Sequence, residues 1–309
     1  MKARRTQFWA AVAAVGLLLM APLTEAANRS YTLYINAGSL TINGAGGATL
    51  PAWGFSDAAG SPSFPGPVLN AYEGDTVDIT VINNHNVNHN FVIQGLTTDT
   101  TPIVPGASRN YSFTAGTAGT YLYSDTLNNA INREMGLYGT FWIGPADGSN
   151  RAWTDGPSYS FQRIWVIGEM DKPRWNDVAG GGGTVNTAIY KPNYFLINGL
   201  GGFDGMHDPD TTIEGVVGSS ALVRIVNGGQ FSHSLHFHGN HFQLLTVNGV
   251  RQSAPYKQLD VVNVPPMGTV DILYELNQPG EYPMHVHTAQ METANGIYLN
   301  GVATMIVMH

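Results

Sequence analysis

The chain has 309 residues, of which only 12% are charged, and its formal net charge is −8. No basic run is long enough to follow a phosphate backbone, so we expect no nucleic-acid partner. The lack of cysteine excludes disulfide bonds and thiolate metal ligands, while 37 Gly and 17 Pro, without a long helical stripe of apolar residues, indicate a mostly β protein.

The first residues have the features of a secretory leader. Three basic residues within positions 2–5 precede an apolar run over residues 8–19, and an acceptable cleavage site lies before Ala27. This order is typical of a signal peptide. We therefore expect residues 1–26 to be removed and the mature protein to be periplasmic or secreted. An uncleaved membrane anchor is the alternative.

Short alternating runs predict β-strands along the rest of the chain. Residues 76–81 and 222–226 are two such runs. Asn-Gly pairs beginning at Asn43, Asn198 and Asn248 are typical of the turns that join hairpin strands. The pattern predicts an all-β fold.

The second half of the chain repeats the pattern of the first. When Gly74 is aligned with Gly218 without gaps, His89 falls on His233. The repeat is too long for a solenoid, so it indicates two tandem domains. We predict a first domain over residues 27–150 and a second over residues 151–309.

Six of the ten histidines fall in two short segments of the second half. Alternate residues of a strand point to one face, so His236 and His238 present two imidazoles on one side, and so do His285 and His287. If the two strands are neighbours, four imidazoles converge. The alternative is that these histidines are surface or packing residues.

The donor chemistry favours copper. Imidazole suits copper, zinc, iron and nickel, and the nearby Met284 and Met291 are soft ligands that favour reduced copper. His233 is a further candidate ligand, although its counterpart His89 lies in a domain without the rest of the motif. The first-domain positions that match the four histidines are Val92, Gln94, Ser124 and Thr126. The first domain is therefore poor in metal ligands.

Three stretches resemble the multicopper oxidase family, which includes two-domain laccases and copper nitrite reductases. Residues 64–77 resemble the opening of its first domain, residues 233–239 its His-x-x-His-x-His-Gly motif, and residues 279–287 its last motif, with the core His-Cys-His. The resemblance spans nearly the whole mature chain. It implies two tandem cupredoxin-like Greek-key β-barrels with copper as the cofactor.

The same resemblance implies a role for each histidine. In the family pattern His233 would be a type 1 copper ligand, His236 a type 2 ligand, and His238, His285 and His287 type 3 ligands. The first domain lacks the further histidines that complete the family's cluster, so we expect one copper or at most a close pair.

Two positions depart from the pattern. Val286 stands where the type 1 cysteine would be, and Met291 stands where that site's second histidine would be. A type 1 centre is defined by its thiolate, so the sequence predicts none, and the electron relay through that cysteine is also missing.

The sequence favours two functions over a structural or interaction protein on the same scaffold and over a zinc hydrolase using metal-bound water. The first is a copper-dependent oxidoreductase acting on a small molecule or oxygen, with Asp260 and Glu292 as candidate proton-handling carboxylates. The alternative is a non-catalytic periplasmic protein for copper storage, delivery or resistance. Two-domain relatives commonly form trimers, so the resemblance also implies a homotrimer in which Asp125 and its neighbours face a copper of the next subunit.

Overall fold

The computed structural model describes residues 26–181, 186 and 188–309. The predicted leader therefore lies outside the described residues except for its last position. Within the described part of the chain, no helix is long and apolar enough to serve as a membrane span. The fold is all-β, as predicted.

The first half forms two four-stranded sheets. The strand bounds are β1 (Asn28–Ile42), β2 (Ala48–Ser56), β3 (Leu69–Tyr72), β4 (Thr76–Asn83), β5 (Val92–Ile93), β6 (Ser108–Thr114), β7 (Gly119–Ser124) and β8 (Tyr138–Gly144). One sheet has the strand order β2-β1-β4-β6, and the other has the order β3-β8-β7-β5.

The second half forms a nine-stranded and a five-stranded sheet. The strand bounds are β9 (Phe161–Met170), β10 (Tyr194–Ile197), β11 (Ile213–Gly215), β12 (Ser220–Asn227), β13 (His233–Phe237), β14 (Phe242–Val247), β15 (Val250–Arg251), β16 (Gln258–Leu259), β17 (Val261–Val264), β18 (Thr269–Glu275), β19 (Gly280–Val286), β20 (Thr293–Ala294), β21 (Ile297–Tyr298) and β22 (Ala303–Met308). The smaller sheet has the order β11-β22-β19-β13-β17, and the larger one β15-β14-β18-β12-β9-β10-β20-β21 with β16 beside β14.

Helices are short and lie in the connections. Their bounds are α1 (Ile131–Glu134), α2 (Lys172–Ala179) and α3 (Gly202–His207), with 3₁₀ turns at Asn128–Ala130 and Ala289–Glu292. Asp171 caps α2, because its side chain accepts a hydrogen bond from the Arg174 backbone N–H.

The two halves share one strand topology. Parallel β1–β4 and antiparallel β4–β6 correspond to β9–β12 and β12–β18. Parallel β3–β8 and antiparallel β7–β8 correspond to β11–β22 and β19–β22. Asn83 and Asn227 also match, since each side-chain amide donates to the carbonyl four residues later, at 2.8 and 2.7 Å. The internal repeat of the sequence is thus a repeat of structure.

Each half has its own apolar core, but the first core is not built by the first half alone. Most of its buried side chains lie between Leu33 and Ile143, and Trp175 of α2 and Met170 at the end of β9 join them. The second core is formed by side chains between Trp165 and Met308. In the described chain, no strand ladder joins β1–β8 to β9–β22. The division near residue 150 stays a prediction.

The start of β1 is held to the start of β4 by a buried carboxylate. Asp75 accepts hydrogen bonds from the Arg29 guanidinium at 2.8 Å and from the backbone N–H groups of Ala27 and Tyr72 at 2.8 and 3.0 Å. Burial opposes ionisation of this carboxyl, but the hydrogen bond from Arg29 and the two backbone bonds outweigh it, and the pKa of Asp75 is lowered.

This depressed pKa predicts an acid-dependent contribution to stability. The ionised carboxylate stabilises the fold above the unfolded pKa of about 3.9, and the stabilisation is lost as pH falls through the lower folded value. Asp75→Asn should therefore lower the melting temperature at pH 7 relative to wild type, and the difference should shrink below about pH 4. Thermal melts of both proteins from pH 3 to 7 measure it. A difference that stays constant over that range would show that the charge of Asp75 does not stabilise the fold.

Candidate metal centre

The candidate centre is built on two neighbouring antiparallel strands, β13 and β19. Their register places His236 directly opposite His285. Along β13 the residues alternate between buried and half-buried, because Leu235 and Phe237 pack into the second core while His236 lies on the other face. The period of two in a strand thus sets the histidines on one side.

The structure brings the four predicted imidazoles together. We call His236, His238, His285 and His287 the four-histidine cluster. The ring of His236 lies 4.5 Å from that of His238, 5.6 Å from that of His285 and 5.1 Å from that of His287, between centroids. Ligand atoms of His236, His238 and His285 all lie within 4.8 Å of one another. His287 is exposed and borders this group, 6.0 Å from His285 between ring centroids.

Hydrogen bonds orient one of these rings toward the centre. Glu292 Oε1 lies 2.6 Å from His285 Nδ1. A carboxylate only accepts, so His285 donates from Nδ1 and its Nε2 is left as a lone-pair donor, 3.2 Å from His238 Nε2. Metal-binding histidines are commonly held by a carboxylate on the other ring nitrogen, as His285 is here. Of the two candidate carboxylates, only Glu292 has this contact, whereas Asp260 is exposed at the end of β16.

Two further features describe the electrostatics of the cluster. His236 Nδ1 is buried and has no hydrogen-bond partner among the described residues. Partial burial and, less strongly, the neighbouring histidines of the cluster lower the pKa of His238. The ring of His238 is therefore neutral at pH 7, which is the form of imidazole that binds metals.

The position after His238 requires glycine for steric reasons. Gly239 has φ +85°, and a Cβ there would lie 2.6 Å from the Tyr282 ring. We expect Gly239→Ala to destabilise the protein by more than the 1–3 kcal/mol or so of a strained backbone alone, and to displace His238. Gly249→Ala is the matched control, because Gly249 has φ +73° but no atom within 4 Å of its Cβ position. Urea unfolding measures the loss of unfolding free energy in each variant. Equal losses in the two variants would show that the Tyr282 contact does not contribute.

His233 does not join the cluster. Its ring is buried, its Nε2 lies 2.9 Å from Glu169 Oε2, and its ring contact is with Phe195 at 6.4 Å. The two positions that depart from the family pattern, Val286 and Met291, are buried in the second core. The Glu169 carboxylate, 64 residues away in the sequence, holds only Nε2 of His233, and Nδ1 is buried with no hydrogen-bond partner among the described residues. A ligand role for His233 outside the four-histidine cluster stays a prediction.

The first half of the chain has the same strand pairing, without histidines at the matching positions. Val92 of β5 lies directly opposite Ser124 of β7, as His236 lies opposite His285. This register supports the alignment made from the sequence. The expectation that Asp125 faces a neighbouring subunit is wrong, because its side chain is fully buried and bonded to His89 and Asn132.

Comparisons with known proteins agree with this fold. One family model described as multicopper oxidase matches residues 58–148, and a second with the same description matches residues 182–300, together more than half of the chain. The chain belongs to the multicopper oxidase family.

Named relatives include reductases and laccases. The copper-containing nitrite reductase of Pseudomonas chlororaphis is 25% identical over 258 residues, which cover 76% of this chain and 68% of the relative. Laccase-9 of Arabidopsis thaliana is 26% identical over 72% of this chain, but the match covers only 39% of that protein.

Solved structures share the fold. A blue copper oxidase from Nitrosomonas europaea superposes with a TM-score of 0.76 at 20% identity, covering 91% of this chain and 86% of that one. A copper nitrite reductase from the same organism gives a TM-score of 0.71 at 20% identity, covering 91% and 94%. At these identities the likeness shows the fold.

Proposed function

We propose that the protein is an exported copper-dependent oxidoreductase whose four-histidine cluster holds one copper, or at most a close pair, and which has no type 1 centre. Copper is the cofactor that the family and its named relatives imply. The observation that carries the proposal is the convergence of His236, His238 and His285, whose ligand atoms all lie within 4.8 Å of one another.

The residues present fit copper. Neutral imidazoles suit Cu(II) and Cu(I), and a histidine with an unpartnered buried nitrogen, such as His236 with its Nδ1, has a donor that a metal would satisfy. Glu292 fixes the tautomer of His285 so that Nε2 faces the cluster. His236, His238 and His285 would hold the metal, with His287 at the exposed side.

A type 1 centre does not fit the second domain. The chain has no cysteine, and Val286 and Met291 are apolar side chains packed in the core. These two facts support the proposed lack of a blue copper site, in contrast to the blue copper oxidase with the same fold.

Copper at the cluster would supply one-electron chemistry by alternating between Cu(II) and Cu(I). The protein's own residues bind and orient it. Glu292 is 14% exposed and accepts the hydrogen bond from His285 Nδ1, so it is the group placed to accept or return a proton beside the cluster. His238 and His287 are exposed, which leaves the cluster open to a small molecule or oxygen from solvent.

We further propose export to the periplasm or the medium, with cleavage before Ala27. A cut there would leave the new α-amino group at the atom that already donates to Asp75. N-terminal sequencing of the periplasmic fraction tests the cleavage. The proposed homotrimer is tested by the sedimentation of the processed protein.

Oxygen consumption with phenolic and cuprous substrates tests the proposed oxidoreductase. The copper-loaded protein should turn over, and Glu292→Gln should slow turnover with copper still bound. Adding Gln290→Glu to that variant, two residues earlier in the same turn, should not restore the rate. Copper binding without turnover on either substrate would overturn the enzymatic proposal and leave storage or delivery. The relatives' names, which are those of reductases, laccases and oxidases, favour turnover.

A further inference from the structure

A second histidine pair lies in the first domain, outside the four-histidine cluster. His85 Nδ1 and His89 Nε2 face each other at 2.9 Å. The other nitrogen of His89 lies 2.7 Å from Asp125 Oδ2, and both of these side chains are fully buried. Asn132 donates to the same carboxylate oxygen at 2.9 Å. These contacts form a series of hydrogen bonds from the buried carboxylate of Asp125 through His89 to the half-buried imidazole of His85.

The negative charge of the Asp125 carboxylate is not balanced by a Lys or Arg side chain. Within the described residues, His89 is the only ion-pair partner of Asp125, and no Lys or Arg lies within 4 Å of it. A buried carboxylate without a cation is costly, so a positive charge is expected beside it. Either a proton on His89 or a metal ion on its outer nitrogen can provide that charge.

The geometry of His89 is that of a metal ligand. Metal-binding imidazoles usually donate their second N–H to a carboxylate, and Asp125 accepts from Nδ1 of His89. The lone pair on Nε2 then accepts the hydrogen bond from His85 Nδ1–H, and a bound ion would displace that proton to solvent. Two imidazole nitrogens 2.9 Å apart are close enough to bind one ion at about 2.0–2.1 Å from each.

We propose that His85 and His89 bind one divalent transition-metal ion such as Cu(II), Zn(II) or Ni(II), with Asp125 positioning His89. His85 is half-buried, so solvent water can complete the coordination. Trp53 borders the site, with its ring 4.7 Å from that of His85 and 5.6 Å from that of His89. The site belongs to the first domain and does not depend on the four-histidine cluster.

The test uses the untagged processed protein in which all four histidines of the cluster are replaced by alanine. Titration with Cu(II) or Zn(II) should still show one bound ion per chain by calorimetry. His85→Gln should abolish this binding, and Asp125→Asn should weaken it by about 10–100-fold, the usual effect of losing such a carboxylate. His207→Gln, an exposed histidine on α3, is the matched control and should bind as before.

The fluorescence of Trp53 provides a second measurement. It would not respond to metal if His85 and His89 had only a structural role. Cu(II) at His85 and His89 should quench part of the tryptophan fluorescence, and Trp53→Phe should remove that quenching while the ion still binds. Failure of the folded cluster-free protein to bind any ion at micromolar concentration would overturn the proposal. Unchanged binding in His85→Gln would overturn it as well.

Discussion

Replacing His285 and His287 together with alanine should abolish copper binding at the four-histidine cluster. The ring of His285 lies 5.6 Å from that of His236 and 5.3 Å from that of His238, and Glu292 orients it, so its loss removes an oriented donor. Loss of even an orienting carboxylate costs about 10–100-fold in metal affinity, and loss of two imidazoles should exceed that range. Calorimetric copper titration in a His85→Gln background measures the cluster alone.

His241→Ala is the matched control for this experiment. His241 lies just after the motif and is exposed, and it is not among the residues whose rings contact the cluster in the described chain. The affinity of the His241→Ala variant for copper should equal that of the parent protein. If His285→Ala/His287→Ala binds copper as tightly as the parent, the cluster is not the copper site.

Removing Asp271 should cause a large loss of stability. Asp271 of β18 accepts hydrogen bonds from Thr246 at 2.8 Å and from Thr120 of the first half of the chain, and Arg224 donates to Thr120 at 3.0 Å. Arg224 is fully buried and lies 3.8 Å from the Asp271 carboxylate. Asp271→Ala leaves a buried guanidinium without its anion, which costs about 3–5 kcal/mol.

A variant that lacks both charges separates the ion pair from packing. Arg224→Met with Asp271→Leu removes both charges, and replacing a buried pair by apolar groups is often close to neutral. The double variant should therefore be more stable than Asp271→Ala in urea unfolding. A loss below about 1 kcal/mol for Asp271→Ala, the range of an exposed ion pair, would contradict the assignment.

The fold was predictable because it rests on local and repeated signals. Alternation over residues 76–81 specifies a strand from neighbouring residues alone, and the repeat of Asn83 and His89 at Asn227 and His233 specifies two copies of one frame. Trp175 shows the limit. It lies in a helix of the second half yet fills the core of the first, and no local pattern states which domain a buried side chain joins.

The cluster was predictable for the same reason, and its partners were not. The period of two in a strand places His236 and His238 on one face, and only the assumption that β13 and β19 are neighbours was needed. The carboxylates are different. Asp125 and Glu169 reach their histidines from 36 and 64 residues away, and side-chain direction across such separations is set by packing rather than by spacing.

The most direct test of the central claim is a Cu(II) titration of the processed protein in the His85→Gln background, followed by electron paramagnetic resonance and optical absorption. We predict a mononuclear Cu(II) signal with coupling to imidazole nitrogens, lost in His236→Ala, and no intense blue thiolate band. Binding of three coppers per chain, or a signal that is unchanged in His236→Ala, would contradict a copper site at the four-histidine cluster.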